Sequence, residues 1–119
     1  MPDFDLDSAL SSEPVTREIQ RGRWTLRLVT GETDYPPMPD GSPVMEAAWL
    51  LDYDGTTVGR GDFPFDNPNP GETFEDHCQA IWELAKVALE NVLKWDDENP
   101  YPGPATDFWD WTADGDLYA

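Results

Sequence analysis

From Phe74 onward, apolar residues recur at Cys78, Ile81, Trp82, Ala85, Ala88, Leu89, Val92 and Leu93, which is one stripe of an α-helix. The spacing predicts a helix over residues 73–95, the one long helical pattern in the chain. Its start is signalled by Asn67-Pro-Asn-Pro-Gly-Glu, which does not continue a helix from upstream, and by Thr73 three residues ahead of Asp76, an acidic form of the capping box. Asn99-Pro100 ends it. Its polar face carries Glu75, Gln79, Glu83, Lys86, Glu90 and Lys94, with Glu83 in reach of Lys86 and Glu90 in reach of Lys94.

Ahead of the helix the period changes to two. Over residues 15–30, Trp24, Leu26 and Leu28 fall on even positions and Arg17, Arg21, Arg23 and Arg27 on odd ones, which predicts one strand with a basic outer face. Gly22 marks a bulge or bend in it. Four prolines and two glycines make residues 31–43 a loop. Residues 44–53 form the next strand, and Asp54-Gly55 is a hairpin signal leading into a strand at 56–63. An uninterrupted register sets Tyr53 opposite Thr56, Leu51 opposite Val58 and Trp49 opposite Arg60. The strand at 44–53 is apolar on both faces and wants cover on both. The helix supplies one cover and the aromatic tail is expected to supply the other. Glu46 and Asp52 then share a face with the arginines, within cross-strand reach.

The tail, residues 96–119, has no useful period but holds Asp107-Phe-Trp-Asp-Trp-Thr. Leaving three large rings in water is costly, so Phe108, Trp109 and Trp111 are expected to dock, as a short fourth strand. The fold class expected is α+β: an antiparallel sheet of three or four strands, one long helix packed on it, and an irregular acidic aromatic C-terminal tail. At 119 residues this is one domain, made of an acidic lead-in (1–14), strands (15–63), helix (72–95) and tail (96–119).

Charge changes the picture most. Twenty-five acidic residues stand against seven basic ones, a formal charge of −18, and four of the seven bases are Arg17, Arg21, Arg23 and Arg27. Residues 1–14, 31–55 and 97–119 hold four, six and six acids and no base. Such a chain repels nucleic acid and anionic lipid and is drawn to basic protein surfaces. The arginine row is read as internal counter-charge rather than as a ligand grip. The chain holds no apolar run of membrane-spanning length and its N-terminus lacks a Sec-type pattern, so a cytoplasmic setting is expected. One cysteine permits no internal disulfide.

Trp49-Leu-Leu-Asp52-Tyr-Asp54-Gly-Thr56 resembles the first motif of the haloacid dehalogenase-like phosphotransferases. The resemblance implies a parallel sheet, with Asp52 as nucleophile, Asp54 as acid/base and Mg²⁺ between carboxylate and phosphate, completed by Lys94 and Asp96-Asp97. Against it stand the single helix and the plainer reading of Asp54-Gly55 as a hairpin turn. Asp52-x-Asp54-Gly lacks the remaining ligands of an EF-hand. His77 and Cys78, the only residues of their kinds, point about 100° apart on a helix, which disfavours a zinc site or a Cys–His pair. Cys78 is read as core and His77 as a solvated helix residue. No catalytic residue, metal or cofactor is assigned.

What remains is acidity interleaved with aromatics. Duplex DNA carries one charge per ~1.7 Å of axis, so a domain of this size matches it with roughly 20 charges. The function expected is a small acidic inhibitor that occupies the basic, nucleic-acid-binding surface of a partner, in the manner of phage anti-restriction or anti-CRISPR proteins. The partner-binding residues expected are Asp96, Asp97, Glu98, Asp107, Trp109, Asp110, Trp111, Asp114 and Asp116, with Asp3, Asp5 and Asp7. The alternatives are an antitoxin or immunity-type protein neutralising a basic toxin, and the phosphotransferase. A halophilic habit also fits two lysines against five arginines.

Overall fold

Gly22 and Arg23 turn the chain back on itself. The computed structural model describes residues 15–66, 68–113 and 115–119. In it β1 (Val15–Arg21) and β2 (Trp24–Glu32) form a hairpin in which Arg21 pairs with Trp24. Gly22 has φ 60°, as the first central residue of a type II′ turn requires. The stretch expected as one strand is therefore two, and the odd-numbered arginines are divided. Arg17 and Arg21, opposite Leu28 and Trp24, share the face of those apolar partners, while Arg27 lies on the reverse face.

β3 (Met45–Tyr53) and β4 (Thr56–Pro64) complete an antiparallel sheet in the order β1-β2-β3-β4. The Asp54-Gly55 hairpin is present, with φ 52° and 85° at its two residues, the left-handed pair of a type I′ turn. The long helix, α1 (Phe74–Glu98), starts where expected. The Thr73 hydroxyl accepts from Asp76 N, and the Asp76 carboxylate accepts from Thr73 N, a closed capping box. It runs one turn past the expected end, to Asn99, whose N–H caps the Trp95 carbonyl.

The register of β4 differs from the uninterrupted one. Tyr53 does pair with Thr56, but Asp52 pairs with Thr57 and Leu51 with Gly59, which leaves Val58 as the extra residue of a β-bulge. A one-residue slip moves every later side chain to the other face. Without the bulge Arg60 would face Trp49 in the core. With it, Gly61 lies opposite Trp49, and Arg60 opposite Leu50, on the reverse face beside Glu46 and Asp62.

The bulge sets glycines where rings need room. A Cβ on Gly61 would overlap Nε1 of Trp49 and come within 2.7 Å of its Cε2, and one on Gly59 would meet Phe108 Cε2 at 2.9 Å. Trp49 is buried and its indole is rigid, so it cannot yield cheaply. Gly61→Ala is expected to destabilise by about 1–3 kcal/mol, as overpacking does, and by more than Gly59→Ala. Urea unfolding of the two variants checks the ranking; a neutral Gly61→Ala would contradict the packing of Trp49 on β4.

One core holds the molecule together. Trp24, Leu26, Leu28, Trp49 and Leu51 of the sheet meet Ile81, Trp82, Ala85, Leu89 and Val92 of α1, and Tyr101 and Phe108 of the tail join the same cluster. The tail therefore docks on the helix side of the sheet, not on the reverse face where it was expected. The reason is geometric: Trp24 and Tyr53 end the sheet in large rings, and Trp24 packs against Tyr53, Tyr101, Phe108 and Trp111 together. The reverse face carries a small apolar cluster, Val29, Ala48 and Leu50, beside a polar network. There Arg27 donates to both oxygens of Asp52 at 3.0 and 3.2 Å, and Thr57 donates to Asp52 at 2.6 Å.

Candidate functional site

The cations of the described residues are largely engaged by nearby acids. Arg17 pairs with Glu75 and Arg21 with Glu90, each at 3.3 Å, bridging β1 to α1. Arg23 reaches Asp54 at 3.8 Å and also donates to the Tyr53 hydroxyl. Lys86 pairs with Glu83 as its i,i+3 spacing implies, whereas Glu90 turns to Arg21 and not to Lys94. The arginine row thus acts as counter-charge within the fold. Asp52 meets Arg27 as its cross-strand position suggests; Glu46 is met by Arg60 of β4 at 3.9 Å.

The far end of α1 is built differently. Its last turn holds Asp96, Asp97 and Glu98 and no base, so these carboxylates lie at the negative pole of the helix dipole. That arrangement opposes stability. Asp96 is nevertheless tied down: one oxygen accepts from Trp24 Nε1 at 3.2 Å and the other from Tyr101 N at 2.7 Å. It joins α1, β2 and the tail, and points inward. Asp97 and Glu98 are exposed beside it.

Past Tyr101, the tail makes a single helical turn, α2 (Phe108–Trp111), where a strand was expected. Asp107 caps it by accepting from Trp109 N at 3.0 Å. The i,i+3 spacing turns Phe108 and Trp111 inward and leaves Asp110 outside with Trp109, which is 46% exposed. Of the three rings expected to dock, Trp109 is thus the one presented to solvent. Phe108 is buried and Trp111 half-buried, stacked on Trp24 with an interplanar angle of 19°. The chain then returns along α1. Asn91 donates to the carbonyls of Leu117 and Ala119 at 2.8 and 3.1 Å, and Trp49 Nε1 donates to the Tyr118 hydroxyl at 3.0 Å. This seats Asp116 as an exposed acid on an anchored segment.

Asp97, Glu98, Asp107, Trp109, Asp110 and Asp116 are thus exposed residues of one end of α1 and the tail packed around it. Trp111 lines a cleft of about 190 Å³ with Trp95, Glu98, Asn99, Thr112 and Gly115. Asp114, Asp3, Asp5 and Asp7 lie outside the described residues. Sequence reasoning missed Trp95 as a cleft wall; it sat at the expected end of the helix, off the apolar stripe.

Elsewhere the single-residue readings resolve in two directions. Cys78 is buried as expected, and burial pushes its thiol above the ordinary 9.0, with Glu75 adding to the rise, so it stays protonated near neutrality. His77 is not simply solvated: its ring is half-buried and its Nε2 bonds the Phe63 carbonyl at 2.8 Å. A carbonyl only accepts, so Nε2 carries the proton and ties α1 to the end of β4. The antiparallel hairpin replaces the parallel sheet that the phosphotransferase resemblance implies, and Asp52 spends its oxygens on Arg27 and Thr57. Among the described residues, no three His, Cys, Asp or Glu side chains gather in a way that could hold a metal ion. None of the described helices is long and apolar enough to cross a membrane.

Compared with known proteins, the chain matches no family model, no curated protein and no solved structure.

Proposed function

We propose that this protein works by binding and not by catalysis: it is a small acidic inhibitor that occupies the basic, nucleic-acid-binding surface of another protein. The observation that carries this reading is the uneven use of charge. The arginines of β1, β2 and β4 are paired with carboxylates of the sheet and of the body of α1, whereas residues 97–119 hold six acids and no base. Of these, Asp97 and Glu98 stand at the negative pole of α1, where they cost stability rather than add to it, and Asp107, Asp110 and Asp116 are exposed on the tail. A fold that keeps such an end gains something else from it, and attraction of a basic surface is what a concentrated negative field supplies. Exposed Trp109, between Asp107 and Asp110, adds the kind of ring that anchors protein interfaces.

The test is an affinity capture from host lysate at low salt, eluted in parallel by a salt gradient and by excess duplex DNA. Release of one basic nucleic-acid-binding protein by DNA supports the proposal and names the target. A basic partner that DNA does not displace favours neutralisation of a toxin instead. Capture of nothing specific removes both, and leaves the acidity as solvation of the surface.

A further inference from the structure

We infer that the cleft lined by Trp95, Trp111 and Glu98 is a socket for an arginine side chain of the basic partner; this rests on the reading that the acidic end faces such a protein. The cleft measures about 190 Å³. That is below the roughly 300–1,000 Å³ of a small-molecule site and suits a single side chain. Two of its lining residues are indoles that pack edge to face, with centroids 6.5 Å apart and planes at 78°, so the cleft opens beside the pair and not between them. Thr112 is buried beneath, and Glu98 and Asn99 are exposed at the lip.

The chemistry of this lining selects a cation. The Trp111 Nε1–H is spent on the Asn99 carbonyl at 3.0 Å, and the Thr112 hydroxyl on the Trp109 carbonyl at 3.3 Å. Glu98 makes no ion pair with any described residue and stands at the negative end of α1 with Asp97 beside it. Indole faces attract cations through their quadrupole, and a carboxylate at the lip accepts a bidentate guanidinium. Arginine fits better than lysine, because its planar head stacks on an indole while its N–H fork meets a carboxylate. The walls are also held in place. Gly115 packs so closely on Trp95 that a Cβ there would overlap Cζ2 and come within 2.7 Å of Cη2, and Trp111 is backed by Trp24.

Octapeptides rich in arginine, lysine or citrulline, titrated in 0.15 M salt and followed by the indole N–H signals in NMR, test the socket. The arginine peptide is expected to bind about fivefold more tightly than the lysine peptide, to shift the Trp95 and Trp111 signals before that of Trp109, and to leave citrulline without measurable affinity. Glu98→Gln, an exposed change that leaves the core alone, is expected to weaken the arginine peptide about fivefold, and Trp95→Leu to erase its advantage over lysine. Equal affinities for arginine and lysine, unmoved by Glu98→Gln, would overturn the inference and reduce the attraction to diffuse charge. The socket and the proposed function fail separately. A lysate partner released by DNA but indifferent to both variants would sink the socket alone. Arginine-selective binding with no DNA-displaceable partner would support the socket and leave mimicry without its target.

Discussion

Trp24→Ala is expected to lower the unfolding free energy by about 3–5 kcal/mol, the range for truncating a buried indole. Against a typical total of roughly 5–15 kcal/mol, that is a large share of the stability of the fold. Trp24 is 2% exposed and packs on Tyr53, Tyr101, Phe108 and Trp111, so its loss removes the ring on which the tail is assembled. It also takes away the N–H that Asp96 accepts. The consequence is specific: residues 101–119 should loosen before the sheet does. Urea unfolding measures the first effect, and limited proteolysis at concentrations where the variant is still folded measures the second. Trp24→Phe separates the two contributions, since it keeps a ring but deletes the bond to Asp96, and should cost about 2 kcal/mol, part packing and part a hydrogen bond to a charged group. A cost below about 1 kcal/mol for Trp24→Ala would mean that the tail does not depend on this ring.

How much of this was legible in the sequence depends on whether the signal was local. The capping box at Thr73 and Asp76, the stripe from Cys78 to Val92 and the Asp54-Gly55 turn each involve a few neighbouring residues, and each stands in the structure as the spacing implies. The alternation of residues 15–30 was read correctly for β2 but carried through Gly22, because arginines fall on odd positions on both sides of the turn, although pairing Arg21 with Trp24 reverses which parity faces the core. The β4 bulge was invisible for a different reason. Nothing in Thr56-Thr-Val-Gly-Arg-Gly distinguishes a regular strand from one with an extra residue; what decides it is the volume of Trp49 and Phe108, which need Gly61 and Gly59 beneath them. The site of tail docking was likewise set by tertiary contact, through Trp24 at the end of the sheet. As for the acidic end, its exposed members were readable as a charge excess, but the inward turn of Asp96 and the cleft at Trp95 required the packing of the tail.

The double variant Asp97→Lys/Glu98→Lys is expected to move stability and binding in opposite directions. Both acids stand in the last turn of α1, where a cation is favoured by about 0.3–1 kcal/mol per site, so the double change should raise the melting temperature by a few degrees. The same change removes negative charge from the end proposed to meet a basic surface, taking the formal charge from −18 to −14, since each replacement adds two. Affinity for the captured partner should fall by at least about tenfold, with a shallower dependence on salt. The control is Glu32→Lys/Asp34→Lys, which makes the identical change in net charge at the other end of the sheet. Glu32 pairs with Met45, whereas Trp24, which binds Asp96, pairs with Tyr53, so the two sites are separated by the length of β2, roughly 27 Å. If net charge alone governed attraction, both pairs would weaken binding equally, and the acidic end would lose its claim to be the interface. A melting temperature that fell in the first variant would give Asp97 and Glu98 a structural role that their exposure and position against the dipole do not suggest. A gain in stability coupled to a loss of binding is what a surface kept for recognition predicts, because its residues are held at a cost that only a partner offsets.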